Sequence, residues 1–250
     1  MSSSHKKLHS QHQPDAIRER LEEERRHSYL GDGILGAIDG GVTTFAVVSG
    51  VAGGGLSSVV VLILGFANLL ADGFSMAVSN FQATKSTREQ TEKTRERERR
   101  HIEAVPEGER EEIRQIYAQK GFEGEALDHA VELITSDEEL WIDTMIQEEY
   151  GLPLESPNPL RAGAVTFVAF LLAGLVPLIP FVFDPDAPIE TTFPFSILFT
   201  GLTFLGIGMM KGKVLDRSIV RGGLETLFIG GAAAAIAYGV GKLLRGIVGV

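Results

Sequence analysis

The residues best suited to chemistry in this 250-residue chain lie in two groups. The first is in the apolar stretch GFANLLADGFSMAVSNF, residues 65–81. Asn68, Asp72 and Met76 recur there at i, i+4 and i+8, which puts an amide, a carboxylate and a thioether on one helix face. Asp39 sits in the middle of another apolar stretch, GILGAIDGGVTTFAVVSGV, residues 33–51. A carboxylate at mid-span costs about 2.5–3.5 kcal/mol on insertion scales, so such a residue is read first as an ion ligand or proton carrier. The alternative is an aspartate that only bonds a neighbouring helix. Asp32, seven residues earlier on the same face, reads equally well as a plain interfacial acid. Carboxylate oxygens joined by a thioether favour ions like Fe²⁺ or Mn²⁺ over Mg²⁺ or Ca²⁺, because thioether is a soft ligand. Met76 alone would be read as packing.

The second group is polar. Glu98 and His101 are spaced i, i+3, as are Glu109 and Glu112, while Met145 and Glu149 are spaced i, i+4. Each pair can converge on one ion. Spacing alone is a weak signal and, taken without other information, favours a solvated helix laced with ion pairs such as Glu89–Lys93 and Glu96–Arg100. His5, His9 and His12, in the N-terminal tail, read as solvated residues with at most weak metal affinity.

The elements that must carry these residues divide sharply by composition. Residues 83–160 hold twenty Asp and Glu against ten Lys and Arg, which accounts for the whole formal charge of −10. The remainder is nearly neutral and rich in Gly, Val, Leu, Ile and Phe. The expected fold is therefore all-α: an integral membrane protein with five transmembrane helices and a helical metal-binding domain inserted between the second and third. The expected segments are an N-terminal tail over 1–28, transmembrane helices 1 and 2 over 29–82, the acidic domain over 83–160, and transmembrane helices 3 to 5 over 161–250. Spans are predicted at 33–51, 58–81, 162–183, 195–210 and 222–243. Pro177 and Pro180 are expected to kink the third. TKSTREQTEKTRERERR, residues 84–100, reads as the second span continuing into water as one helix. Pro106 breaks that helix and opens another to about residue 119. Further helices fit 123–134 and 137–150, the last capped by Ser136 or Asp137.

Lys and Arg cluster before span one, after span two and between spans four and five. By the positive-inside rule the N-terminus and the acidic domain are cytoplasmic and the C-terminus lies outside, with Lys242 and Arg245 on the unfavoured side. An acidic surface points to cations as partners and away from nucleic acid. The chain has no cysteine, so disulfides and thiolate metal sites are excluded. No nucleophile–base pair or Walker motif is present, and no enzymatic activity is expected.

The IDGG-type first span around Asp39, the Ser75–Met76 pair, the E-x-x-H, AVP and E-x-x-E run from Glu98 to Glu112, and WIDTM…E from Trp141 to Glu149 occur in an order that resembles the vacuolar iron transporter family. The resemblance covers residues 29–243. It implies five membrane helices, a homodimer with its translocation path at the two-fold axis, and export of Fe²⁺ and Mn²⁺ from the cytoplasm in exchange for protons. By position, Asp39 and Met76 match the family's pore ligands. Glu98, Glu109, Glu112, Met145 and Glu149 match the ligands of its cytoplasmic domain. Asn68 stands where well-studied members carry a pore glutamate, with Asp72 one turn later. His101 stands at a glutamate position and Ile146 at a second methionine. No permanently bound cofactor is expected beyond the transported Fe²⁺ or Mn²⁺ and a divalent ion in the acidic domain. The membrane implied is the plasma membrane in a prokaryote and a vacuole-type membrane in a eukaryote. Two other readings stay open: a membrane-anchored metal sensor or buffer, which has no use for Asp39, and a passive Mg²⁺ channel, which has none for Met76.

Overall fold

The computed structural model describes residues 12–23 and 28–248. The rest of the tail, His5 and His9 included, lies outside the described residues. Those described are helical, with no strand among them: α1 (Pro14–Glu23), α2 (Leu30–Gly54), α3 (Ser58–Ala104), α4 (Pro106–Gln119), α5 (Gly124–Thr135), α6 (Glu138–Glu148), α7 (Pro159–Leu175), α8 (Ile179–Phe183), α9 (Ile189–Val214) and α10 (Ile219–Val248). Five stretches are long and apolar enough to cross a bilayer: α2, α3, the run Pro159–Phe183, α9 and α10. The chain divides into two compact units, a polar one holding residues 83–158 and an apolar one holding 28–82 and 159–250.

In the apolar unit α2 packs against α7, α9 and α10. Its small residues make this possible. A methyl group at Gly40 would run into the carbonyl oxygen of Phe170, and one at Gly36 into that of Thr166, so α2 and α7 meet backbone to backbone. Around the crossing lies an apolar core that includes Phe45, Val48, Leu69, Phe170, Phe181 and Phe204. Large side chains such as Phe74, Leu172 and Phe228 point outward and stay exposed, as lipid-facing residues do.

The expected punctuation is largely present, with longer helices. Pro177 and Pro180 break the third span into α7, a 3-10 turn at Val176–Leu178 and α8. The first span runs on through Ala52, Gly53 and Gly54, which were expected in a turn. It stops only at Gly55, which adopts φ 70 and donates its N–H to the Ala52 carbonyl, while the Leu56 N–H donates to that of Val51. The fourth begins at Ile189, six residues earlier than expected, with Pro194 inside it. As the sixth residue of α9, Pro194 lies past the four N–H groups that a helix start leaves unpaired, so it forgoes the bond its nitrogen would make to the Glu190 carbonyl.

In the polar unit, Pro106 opens α4 at its first turn. Asp137 caps α6 by accepting the backbone N–H groups of Glu139 and Leu140 at 3.0 and 3.1 Å. Ile113, Val131, Ile134, Trp141 and Met145 form a small core, closed by Ile102, Ile116, Tyr117 and Leu127. The polar half of α3 is tied to α6 by Arg95 with Glu139 and Asp143, and by Arg99 with Glu138 and Glu139. The ion pairs along α3 differ in register from those expected. Glu89 pairs with Lys85 and Glu92 with Arg88, among the described residues.

Candidate metal centres

The polar unit brings three candidate ligands together. Glu98 and His101 lie one turn apart near the end of α3, and the break at Val105–Pro106 turns the chain so that Glu109 of α4 meets them. One ligand atom from each of Glu98, His101 and Glu109 lies within 4.8 Å of the others. His101 Nδ1 is 3.2 Å from Glu109 Oε1 and 3.9 Å from Glu98 Oε2. Glu98 is wholly buried and Glu109 nearly so. Glu98 Oε1 accepts a bond from Arg97 Nε at 3.1 Å, but Glu98 Oε2 and Glu109 Oε2 are buried with no hydrogen-bond partner among the described residues. An unsatisfied buried acceptor costs about 1–3 kcal/mol, more when charged. These two carboxylates and the His101 imidazole form a donor set of oxygen and nitrogen that fits a divalent transition ion.

Electrostatics tie two further candidates to this cluster. Burial pushes Glu109 up to about 7, helped by the negative charges of Glu112, Glu98 and Glu149 and opposed by His101. Glu112 is also raised, by burial and then by Glu149 and Glu98. Both Glu112 and Glu149 are exposed at the margin of the cluster. Met145 is fully buried in the small apolar core, beside Trp141 and Ile113. Two neighbours carried no sequence signal beyond adjacency to a ligand. Tyr150, whose hydroxyl is raised first by burial and then by bonding to Glu149, also acts on Glu98. Arg97 holds Glu98 and lies 4.6 Å above the Tyr150 ring.

In the apolar unit Asp39 on α2, and Asn68, Asp72 and Met76 on α3, are all half-buried. Asp39 and Asp72 are close enough for their charges to interact. The Asn68 amide nitrogen is buried without a hydrogen-bond partner among the described residues, and Met76 packs against the apolar core. Carried one more turn, the row of α3 reaches Asn80. Asn80 Nδ2 donates to Asp32 Oδ1 at 2.8 Å and to Thr166 Oγ1 at 2.7 Å, and so links α3, α2 and α7. Asp32 is therefore a hydrogen-bonded strut between helices, where the sequence left it open between a companion of Asp39 and a plain interfacial acid.

The VIT family model matches residues 30–242. The chain is 34% identical over 217 residues to a vacuolar iron transporter 1 of Eucalyptus grandis, covering 86% of both proteins. It is 33% identical over 217 residues to a vacuolar iron transporter 1 of Arabidopsis thaliana, covering 86% of this chain and 85% of that one. With a vacuolar iron transporter of Toxoplasma gondii the identity is 32% over 229 residues, covering 88% of this chain and 76% of the other.

Proposed function

The chain belongs to the VIT family, a multi-pass transporter of metal ions and not an enzyme, and from that premise we propose that it moves Fe²⁺ and Mn²⁺ out of the cytoplasm in exchange for protons. The observation that carries this reading is the pair of interacting carboxylates, Asp39 and Asp72, on two helices long and apolar enough to span a bilayer. Charged groups there are expensive and are kept where an ion or proton must pass. A carboxylate holds a proton or a metal ion but not both with equal ease, so each ion displaces the other. Met76, one turn beyond Asp72, biases the pair toward softer ions.

On this reading residues 83–160 form a cytoplasmic domain that collects the ion. Glu98, His101 and Glu109 hold it, Glu112 and Glu149 add negative charge at the rim, and the acidic surface raises the local cation concentration. The vacuolar names of the relatives support a vacuole-type membrane, and the resemblance in sequence supports a homodimer. A sensor or buffer would use the Glu98 cluster alone. The test is uptake of Mn²⁺ or Fe²⁺ into proteoliposomes with an acidic lumen and a lumenal pH dye. Metal entry with matching lumenal alkalinisation is expected. Tight metal binding with no entry would leave the sensor standing.

A further inference from the structure

A second charged construction in the apolar unit lies where α9 ends and α10 begins. The last turn of α9 carries Lys211 and Lys213. The chain then turns sharply, with Asp216 at φ 49 in the left-handed region, and the Arg217 N–H returns to the Gly212 carbonyl at 2.8 Å. Ser218 Oγ accepts the Arg221 N–H at 3.4 Å and so caps α10. The two helices cross with backbones in contact: a methyl group at Gly222 would run into the Gly208 carbonyl oxygen. That close crossing brings Lys211 of α9 beside Arg221 of α10.

The result is an open pocket of about 600 Å³ lined by Lys211, Arg217 and Arg221, with Ser218, Leu215 and one acid, Glu225. None of the three cations is in an ion pair among the described residues. Three like charges converge there against one carboxylate, so the pocket carries a net positive field that an anion would relieve. The start of the 30-residue α10 adds its dipole in the same sense. Ser218 already serves one of the free N–H groups, so the side chains, not the helix end, are the principal donors. Leu215 lines the pocket, and Val220 and Leu224 follow on the first turns of α10; the three are 55%, 66% and 57% exposed. A soluble anion has no use for such apolar side chains, whereas an amphiphilic one does.

We infer that this pocket binds the phosphate of an anionic phospholipid headgroup, with the acyl chains lying along Leu215, Val220 and Leu224. Arg217 and Arg221 supply planar donors suited to phosphate oxygens, and Lys211 a point charge. The bound lipid neutralises the cations and fixes the α9–α10 connection at the membrane surface. The pocket uses none of the residues of the proposed exchange and stands whether or not that exchange is correct.

The test uses the full chain in detergent, titrated with phosphatidylglycerol or phosphatidylcholine and read by native mass spectrometry. A preference for phosphatidylglycerol of about tenfold or more is expected. R217Q/R221Q, and separately K211Q, should bring the two lipids toward parity. K213Q removes a charge from the same connection without touching the pocket and should keep the preference. These residues are at the surface, so their loss leaves the helix crossing in place, which an unchanged elution profile verifies. Retention of the preference by R217Q/R221Q overturns the assignment. So does displacement of phosphatidylglycerol by equimolar inorganic phosphate, which would make the pocket a site for soluble phosphate.

Discussion

Glu109 is the buried side chain through which the proposed metal site would be linked to protons. It ionises near 7 instead of 4.5 because it is buried among other acids. Below its ordinary value it is protonated in both the folded and the unfolded chain. As pH rises through 7 the folded chain must ionise it within the cluster, so the stability it contributes at low pH is lost there. A divalent ion reverses that loss by satisfying Glu109 Oε2 and Glu98 Oε2 together. The expected outcome is that Mn²⁺ raises the thermal midpoint of the full chain more at about pH 8 than at about pH 6, with protons released on binding. In Glu109→Gln that pH dependence should be largely lost, and calorimetry in buffers of different ionisation enthalpy reads both effects. Tyr150→Phe removes the hydroxyl that acts on Glu149 and Glu98 while keeping the ring over which Arg97 lies. Metal affinity should fall about tenfold or more, the usual effect of losing a partner that orients a ligand. Unchanged affinity would show that the hydroxyl positions nothing.

The helices were legible from apolar run length and from proline, and less so where glycine was the signal. A run of Ala and Gly at residues 52–54 reads as a turn in isolation, yet it stays helical because Gly53 lets α2 pass directly over the Tyr238 carbonyl of α10. Tertiary contact overrides local propensity there. The ligand pairs of the polar unit were legible as i, i+3 spacings, but their meeting was not. It depends on the angle between α3 and α4 at Val105–Pro106, which spacing does not encode. Tyr150 and Arg97 were missed because they act through the ligands beside them. The close crossing of α2 and α7 gives a prediction at this scale. Gly40→Leu should destabilise the apolar unit by about 1–3 kcal/mol through forced separation of the helices. Gly239→Ala, where nothing lies within 4 Å, should be neutral or slightly stabilising. Thermal unfolding in detergent compares the two. Asp137→Ala, which loses the cap of α6, should cost about 1 kcal/mol.

For the whole molecule the question is whether ion capture and ion movement are separable. The charge is distributed as if they were: the acids are concentrated in residues 83–160, and the spans are nearly neutral apart from Asp39 and Asp72. The basic clusters give the expected orientation, with the N-terminus and residues 83–160 cytoplasmic. Because the chain has no cysteine, single cysteines at Ser57 and Asp186 should react with an impermeant reagent from outside, and one at Gln119 should not. Reaction at Gln119 from outside would reverse the topology. Within that orientation, each group of ligands has its own signature. Glu109→Gln with Glu112→Gln weakens capture, so uptake should slow at low metal concentration and recover toward the wild-type rate at high concentration, with proton counterflow per ion unchanged. Asp39→Asn keeps size and hydrogen bonding but cannot ionise. It should abolish metal-driven proton movement at every metal concentration, while the Glu98, His101 and Glu109 cluster binds Mn²⁺ as tightly as before. Both variants are read in the same proteoliposomes with the lumenal pH dye, beside calorimetry on the same preparations. If Asp39→Asn still exchanges metal for protons at the wild-type rate, Asp39 is only a polar contact between helices, and the coupling must reside elsewhere in the chain.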